Sequence, residues 1–352
     1  MASDSTIRQL DDLVKCRLVD GERIVSTDIS RLTAPGENYG SVMLRNEYKF
    51  YAVICPTLDQ FLKKNGVPSG ADFLAPFING RLNLDGSNKV DSDAVILMEN
   101  LRTAGYSTGK KSLGLDLEHS KVVLTALAKF HAAGMGLKAK QPEVFEKNLR
   151  PYFYTFHPDA GLIFTMRLTF LHALKSNGFS ENEIQKSLTL LTETLKKLTL
   201  VMLGVLTNNN LIKYDNGKPS HCVIVDFQVF DYATPLNDVT FFLFTSVQKE
   251  FFENNLDDLF QYYYDRLIAE LRLLGVDTTP YTSQSYQKEI ATAVKYYEYF
   301  HILWMSLPLM HEDFKSVEDI DKDEMDQAIE LSENHVNKIV EITRLCLNRN
   351  WI

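Results

Sequence analysis

The fold is decided by a stretch in the middle of the chain, LGVLTNNNLIKYDNGKPSHCVIVDFQ, which spans residues 203–228. Two apolar runs flank the turn signal Asp215-Asn216-Gly217, and this combination is typical of a β-hairpin. Asn210 and Asp226 lie at equal distances along the chain from Lys218, just past the turn. The sequence therefore predicts that these two side chains meet at the open end of the hairpin.

An amide oxygen and a carboxylate that meet in this way suit a metal ion. Mg²⁺ prefers hard oxygen ligands together with the phosphates of a nucleotide. The same spacing is also compatible with two side chains that only cap strand ends. The pattern of Asn210 and Asp226 leaves both interpretations open.

The first third of the chain is rich in strand and turn patterns. Residues 23–32 alternate like a strand and run into the glycine-containing segment 34–41, which predicts a hairpin whose tip can approach a ligand. A helix is predicted from about residue 46 to 64, interrupted at Pro56. Loops with short strands follow, and the apolar run 94–98 suits a buried strand.

The remainder of the chain is mostly helical. An amphipathic helix is predicted over 115–137, and Ser180 with Glu183 forms a capping box ahead of another. Helices also dominate residues 238–346. The pattern predicts an α+β protein with an N-terminal lobe at 1–100 and a helical C-terminal lobe at 101–352.

Composition excludes several classes of protein. The 352 residues are 45% hydrophobic and 24% charged, which is ordinary for a globular protein. A net charge of −9 without a basic run argues against nucleic-acid binding. No signal peptide is visible, and no apolar stretch approaches the roughly 18 residues of a membrane span. With four scattered cysteines, the sequence predicts a cytoplasmic protein with reduced thiols.

Several short motifs resemble those of the ecdysteroid kinase-like family, which is related to choline kinases and aminoglycoside phosphotransferases. The resemblance covers most of residues 25–310. In the order of the family, the motifs are TAPGENY at 33–39, EYKFY at 47–51, LMENL at 97–101, GLDLEH at 114–119, LAKFHA at 127–132, VDFQ at 225–228 and YATP at 232–235.

The resemblance implies a two-lobed protein-kinase-like fold and a role for each matching residue. A loop would cover the ATP phosphates, a helix glutamate would pair with a strand lysine, the backbone of a hinge would meet adenine, and Mg²⁺ would be held by Asn210 and Asp226. Asp238 would brace the catalytic loop. The other residues that it assigns to cofactor binding are Gly36, Asn38, Gly40 and Ser41 in the loop, Glu47 on the helix, and Glu99 and Leu101 in the hinge.

The chain departs from the family first at the catalytic loop. The family pattern H-G-D-L-W-x-N-N is replaced by LGVLTNNN at 203–210, which places Val205 at the position of the catalytic aspartate and Leu203 at the histidine. In kinases that aspartate accepts and orients the substrate hydroxyl. Loss of a general base typically lowers the rate by about 10²–10⁴.

The second departure is a gap after the glycine loop. Only six residues separate Gly40 from Glu47, too few for two strands of about five residues and a turn. The strand that carries the phosphate-binding lysine is therefore missing, and the sheet of the N-terminal lobe is truncated. Lys49 or Arg45 could take the place of the missing lysine, but nothing in the sequence favours either residue. A missing exon at Arg45–Asn46 would explain the gap but not position 205.

These departures favour a catalytically impaired pseudokinase that binds a small hydrophobic alcohol such as an ecdysteroid, a nucleotide or a partner. The alternative is an active ATP-dependent O-phosphotransferase with an unusual base, such as Asp231 or a positioned water. His131 is interpreted as a packed, hydrogen-bonded residue, and the aromatic residues around Tyr262–Tyr264 as helix packing or part of an apolar cleft. The truncated sheet needs cover for its open edge, which the N-terminal helix or residues 66–92 are expected to give.

Overall fold

The computed structural model describes residues 7–25, 41–108, 114–153, 160–197, 209–228, 230, 233–295, 331 and 333–352. Within these ranges the chain is an α+β protein with small antiparallel sheets and a large helical part. The helices are α1 (Leu10–Val14), α2 (Ser41–Lys49), α3 (Cys55–Lys64), α4 (Leu117–Lys140), α5 (Pro142–Asn148), α6 (Ala160–Ser176), α7 (Glu181–Lys197), α8 (Leu236–Ser246), α9 (Lys249–Leu273), α10 (Ser283–Ala293) and α11 (Glu333–Asn348).

Two small sheets lie among these helices. Strands β1 (Phe77–Arg81) and β2 (Val95–Met98) form an antiparallel pair. Strands β3 (Tyr106–Thr108), β4 (Asn210–Asp215) and β5 (Lys218–Ile224) form a three-stranded antiparallel sheet in that order. The predicted strand at 94–98 is confirmed, although it is half-buried rather than buried. Most of the predicted strand at 23–32 lies outside the described residues.

The central hairpin is confirmed, but its register differs from the predicted one. Asn216 and Gly217 both have positive φ, 50° and 77°, as a type I′ turn requires. This turn pairs Asp215 with Lys218, and a bulge after Lys213 moves the pairing back by one residue, so that Asn210 faces Ile224. Asn210 is therefore not opposite Asp226, because the hairpin turns at Asn216–Gly217 and the bulge recovers only part of the difference.

The predicted helix at 46–64 begins earlier and is not broken at Pro56. Helix α2 continues through a π-helical turn at Phe50–Ile54 directly into α3. Pro56 lies in the first turn of α3, where it removes one helical hydrogen bond, and the wider π-helical turn directly before it relieves the clash of its ring with the preceding turn. The π turn widens the helix just ahead of the proline and presents Phe50 and Tyr51 to the large lobe.

Helix α4 is the central element of the large lobe. Its predicted face is confirmed, since Leu124, Leu127 and Ala128 are fully buried, and it packs mainly against α9 and β5. A Cβ on Gly136 would lie 3.2 Å from side-chain atoms of Leu274 and Phe61, so this glycine lets α3 and α9 approach α4 closely. The capping box of α7 is also confirmed, with the Ser180 amide donating to Glu183 at 2.7 Å.

The N-terminal segment covers strand β1, as expected for a truncated sheet. Its helix is shorter than predicted, and a 3₁₀ turn follows at Lys15–Arg17. The Asn79 amide donates to the Leu13 carbonyl at 2.9 Å, and the Cys16 thiol donates to the Ile78 carbonyl at 3.8 Å. The segment therefore occupies one backbone group of β1, the Ile78 carbonyl, with which a neighbouring strand could otherwise pair.

Leu13 anchors this segment, because only 5% of it is exposed. We expect Leu13→Ala to lower the free energy of unfolding by about 3 kcal/mol through lost burial and the cavity left behind. Leu273→Ala, at a side chain that is 58% exposed, is the control and should change it by less than about 0.5 kcal/mol. Urea denaturation measures both, and equal effects would show that Leu13 does not anchor the segment.

Candidate functional site

The candidate site is built around Asp226, two residues after β5 ends. Asp226 has a φ of 71°, a left-handed conformation that aspartate tolerates better than most residues. Gln228 donates to its carboxylate from both backbone and side chain, and the Asn209 side chain also hydrogen-bonds to it. These hydrogen bonds hold the carboxylate in one orientation at the junction of the two lobes.

The small lobe meets Asp226 through the helix that contains the π turn. The rings of Phe50 and Phe227 stack with centroids 3.7 Å apart and planes 5° from parallel. The Tyr51 hydroxyl lies against the backbone of Asp226, although it makes no hydrogen bond of ordinary geometry among the described residues. One turn earlier on the same helix, Glu47 lies near enough to Asp226 for the two charges to interact. The group formed by Glu47, Tyr51 and Asp226 is called the Asp226 corner.

The electrostatics of this corner are unusual because no cationic side chain among the described residues pairs with either carboxylate. Burial raises the pKa of Glu47 to about 7, and the negative charge of Asp226 contributes. Burial also raises the pKa of Asp226, although the hydrogen bonds from Gln228 and Asn209 oppose this shift. The pKa of Tyr51 is raised by burial first and then by the charge of Glu47. All three shifts disfavour negative charge.

Neither of the possible substitutes for the missing lysine reaches Glu47. The Lys49 ammonium lies over the ring of Tyr48, 5.4 Å from its centroid, and Arg45 is exposed. Among the ion pairs of the described residues none involves Glu47, and no lysine or arginine lowers its pKa. The gap in the sequence therefore has a structural counterpart, a helix glutamate that faces an aspartate instead of an ammonium group.

The structure places the predicted site residues in three different situations. Glu47 lies near enough to Asp226 for the charge of Asp226 to raise its pKa. Asn210 is fully buried in β4, where its Oδ1 accepts from the Cys222 thiol at 3.6 Å; its role as a metal ligand stays a prediction. Gly36, Asn38, Gly40, Val205 and Asp231 lie outside the described residues, as does the side chain of Ser41.

The residues of the predicted hinge, Glu99 to Leu101, make their contacts within the small lobe. The Glu99 amide donates to the Pro76 carbonyl at 3.0 Å, and the Glu99 carboxylate pairs with Arg17. The Asn100 side chain caps the 3₁₀ turn that begins at Leu101, and Leu101 packs against the core. The interaction of this hinge with adenine stays a prediction.

An apolar cleft lies beside the Asp226 corner and has a volume of about 600 Å³ including its open mouth. It is bounded by the π turn, by helix α4 and by the segment before α8. Most of its lining is apolar, and the polar side chains at its wall are Thr234, His131 and Asp238. The principal apolar residues are Phe50, Ile54, Phe130, Met135, Phe153 and Phe230.

His131 is packed and hydrogen-bonded, as predicted. Its two ring nitrogens lie 2.7 Å from the Tyr263 hydroxyl and 2.9 Å from Asp238 Oδ2. Asp238 is thus fixed against α4, while the catalytic loop that it was expected to brace lies outside the described residues. The aromatic residues around Tyr263 were predicted to pack between helices or to line an apolar cleft, and both interpretations find support. Tyr263 is fully buried, and Tyr263 and Tyr264 line a second, smaller cleft.

Sequence reasoning missed Asn209, Gln228 and Tyr51 as neighbours of Asp226. The Asn-Gly turn signal contained the information for Asn209, because centring the hairpin on Asn216–Gly217 moves the pairing toward it. Tyr51 and Gln228 fall inside the EYKFY and VDFQ motifs. Their contacts depend on the π turn and on the left-handed residue 226, which carry no clear sequence signal.

The comparisons with known proteins agree with this architecture. The model of the ecdysteroid kinase-like family matches residues 37–276, more than half of the chain. The chain belongs to the ecdysteroid kinase-like family. No curated protein matches it. In the described ranges, none of the helices has the length and apolar character needed to cross a membrane.

Kinase-like families in general depend on ATP and Mg²⁺, and the Asp226 corner fits these two groups unequally. Carboxylate and amide oxygens of Glu47, Asp226 and Asn209 are hard ligands of the type that Mg²⁺ prefers. The phosphates of ATP need positive charge, and the described small lobe delivers none to this corner. The donor set therefore fits the metal better than the nucleotide.

The raised pKa of Glu47 predicts a pH-dependent stability in chelator-treated protein. Between about pH 4.5 and 7 the folded chain keeps a proton on Glu47 that the unfolded chain releases, so the free energy of unfolding falls as pH rises. At pH 8, Glu47→Gln should be more stable than wild type by up to about 3 kcal/mol, with little difference at pH 4.5. Urea denaturation across this range measures the difference.

The matched control is Glu143→Gln, which alters an exposed carboxylate in the first turn of α5. Its stability should follow the wild-type pH curve. If the curve of Glu47→Gln also runs parallel to wild type from pH 4.5 to 8, Glu47 is an ordinary solvated carboxylate and its described environment is wrong.

Proposed function

We propose that this member of the ecdysteroid kinase-like family is a catalytically impaired kinase relative that binds a small hydrophobic alcohol in the apolar cleft. An ecdysteroid or a similar hydroxylated steroid is the first ligand to test, because the family is named for that class. The observation that carries the proposal is the half-buried pair of carboxylates, Glu47 and Asp226, with no lysine of the described residues between them.

Loss of phosphoryl transfer follows from the two departures taken together. The missing lysine leaves negative charge where a nucleotide would bring more, so ATP phosphates are repelled from the corner. Val205 has no group that accepts a proton from a substrate hydroxyl. Val205→Asp would restore the base but not the missing lysine. This substitution alone is therefore not expected to restore phosphoryl transfer.

Binding of a hydrophobic ligand is supported by the chemistry of the cleft. Its volume of about 600 Å³ includes the open mouth, so the lining carries the argument and the size does not. Aromatic and aliphatic side chains form most of the lining, and the polar groups of His131, Thr234 and Asp238 are confined to the wall. This arrangement suits a ligand with an apolar body and few hydroxyl groups.

Gly134 offers a sharp test because it lines the cleft and no atom lies within 4 Å of the position of a Cβ. Gly134→Leu should fill part of the cleft without disturbing α4, since both leucine and alanine favour helices more than glycine does. In wild type, a ligand at 100 times its Kd should raise stability by about 2.7 kcal/mol. Gly134→Leu should lose this shift, and the control Gly134→Ala should keep it.

Thermal denaturation with a panel of ecdysteroids, sterols and short aliphatic alcohols measures these shifts. If no member of the panel stabilises wild type, or if Gly134→Leu responds as strongly as Gly134→Ala, the cleft is not the ligand site. ATP with Mg²⁺ serves as a separate sample in the same experiment and is expected to stabilise the protein far less than the steroid ligand.

The alternative, an active O-phosphotransferase, is favoured only by the retained Asp226 and its oxygen-bearing neighbours. It predicts transfer of labelled phosphate from ATP to a hydroxylated substrate, and loss of that product in Asp226→Ala. Robust product formation by wild type would replace the proposed function with this one. Its absence across the panel, in protein whose cleft binds ligand, would support the impaired relative.

A further inference from the structure

The second, smaller cleft differs from the first in the chemistry of its lining. It is bounded by helices α8, α9 and α10, and four of its lining residues are tyrosines, Tyr263, Tyr264, Tyr281 and Tyr286. The rings of Tyr264 and Tyr286 are close neighbours, with centroids 4.9 Å apart. Aliphatic side chains supply most of the remaining lining. The walls of the second cleft are therefore mainly aromatic and apolar.

Hydrogen-bond donors in this lining are largely used by the protein itself. The Tyr264 hydroxyl donates to the Tyr281 carbonyl at 2.7 Å, and the Tyr286 hydroxyl donates to the Phe260 carbonyl at 2.9 Å. The Ser285 hydroxyl lies on the same side and donates to backbone carbonyls of its own turn. Because each hydroxyl has a single proton to donate, the cleft is poorly suited to a ligand that needs donors, such as an anion.

The charged side chain in the wall is Glu289, which is half-buried. One of its carboxylate oxygens, Oε1, accepts a hydrogen bond from the hydroxyl of Thr234, which holds the carboxylate in place. None of the ion pairs between described residues involves Glu289, and no described residue donates to its second oxygen. Since a carboxylate only accepts hydrogen bonds, Glu289 offers a negatively charged acceptor to a ligand in the cleft.

The electrostatic potential in the second cleft favours a positive ligand. Burial raises the pKa of Tyr263 and of Tyr286, and the negative charge of Glu289 adds to both shifts. Asp238 acts on Tyr263 and Asp265 on Tyr286 in the same direction. The lining contains no lysine, arginine or histidine. Because the faces of aromatic rings also attract cations, the rings and the carboxylate select the same sign of charge.

We propose that the second cleft binds a hydrophobic organic ammonium ion, with the charged nitrogen at Glu289 and the apolar body against the tyrosine rings. The N–H groups of the ammonium donate to the carboxylate, and the rings contact the charge and the carbon atoms beside it. The first cleft takes a neutral alcohol in the proposed function, so the two ligands belong to different classes, and neither site requires the other.

Isothermal titration calorimetry of the full-length chain with phenethylammonium tests this site, and phenethyl alcohol is the neutral probe of similar size. Wild type should bind the ammonium about tenfold more tightly than the alcohol, as expected for a hydrogen bond to a charged group. Glu289→Gln keeps an acceptor for Thr234 and should lose this preference, while its affinity for the alcohol changes little. Glu143→Gln, at an exposed carboxylate of α5, should behave like wild type.

Two further variants show which cleft is occupied. Tyr281→Leu removes a ring that is 36% exposed but keeps the backbone carbonyl that accepts from Tyr264, and it should weaken ammonium binding about twofold to fivefold. Gly134→Leu fills the first cleft and should leave ammonium binding unchanged. Circular dichroism checks that each variant is folded.

The proposal is wrong if wild type binds neither probe or binds both equally, or if folded Glu289→Gln keeps the preference for the ammonium. Loss of ammonium binding in Gly134→Leu would place the ion in the first cleft and would also overturn the proposal. If Glu289→Gln does not fold, Tyr281→Leu decides, and an affinity equal to that of wild type counts against the site.

Discussion

The structure depends on the contact between the helix of the small lobe and the Asp226 segment of the large lobe. The stack of Phe50 on Phe227 joins two apolar surfaces, while Glu47 and Tyr51 on the same helix bring a carboxylate and a phenol close to Asp226. Packing therefore holds together groups whose charges repel. This combination explains why the corner can persist after the lysine has been lost, and why it favours a proton or a metal ion.

Much of the fold could be predicted from the sequence because local signals were strong. The Asn-Gly turn specified the hairpin, the apolar spacing specified α4, and Ser180 with Glu183 specified the start of α7. The helix around Pro56 was misjudged, because proline is tolerated in the first turn that follows the π-helical segment. The spacing of apolar residues does not distinguish a break in a helix from a π-helical turn within it.

The candidate site was only partly predictable. Its acidic residues came from motifs, whereas the hydrogen bond of Asn209 to Asp226 depends on a turn centre and a one-residue bulge that place Asn209 beside Val225. A sequence can show that a lysine is missing, but it cannot show what its former partner contacts instead. That required the burial of Glu47 and the approach of Asp226, which are tertiary properties.

The central claim is that Glu47 is a half-buried carboxylate near Asp226 and that no positive side chain of the described residues lies beside it. A carbon-13 NMR titration of the Glu47 carboxyl in metal-free protein, assigned by its absence in Glu47→Gln, tests this claim most directly. The account predicts a pKa of about 7. A value near 4.5, that of an unperturbed glutamate, would mean that a cationic side chain or solvent reaches the carboxylate, and would contradict the account.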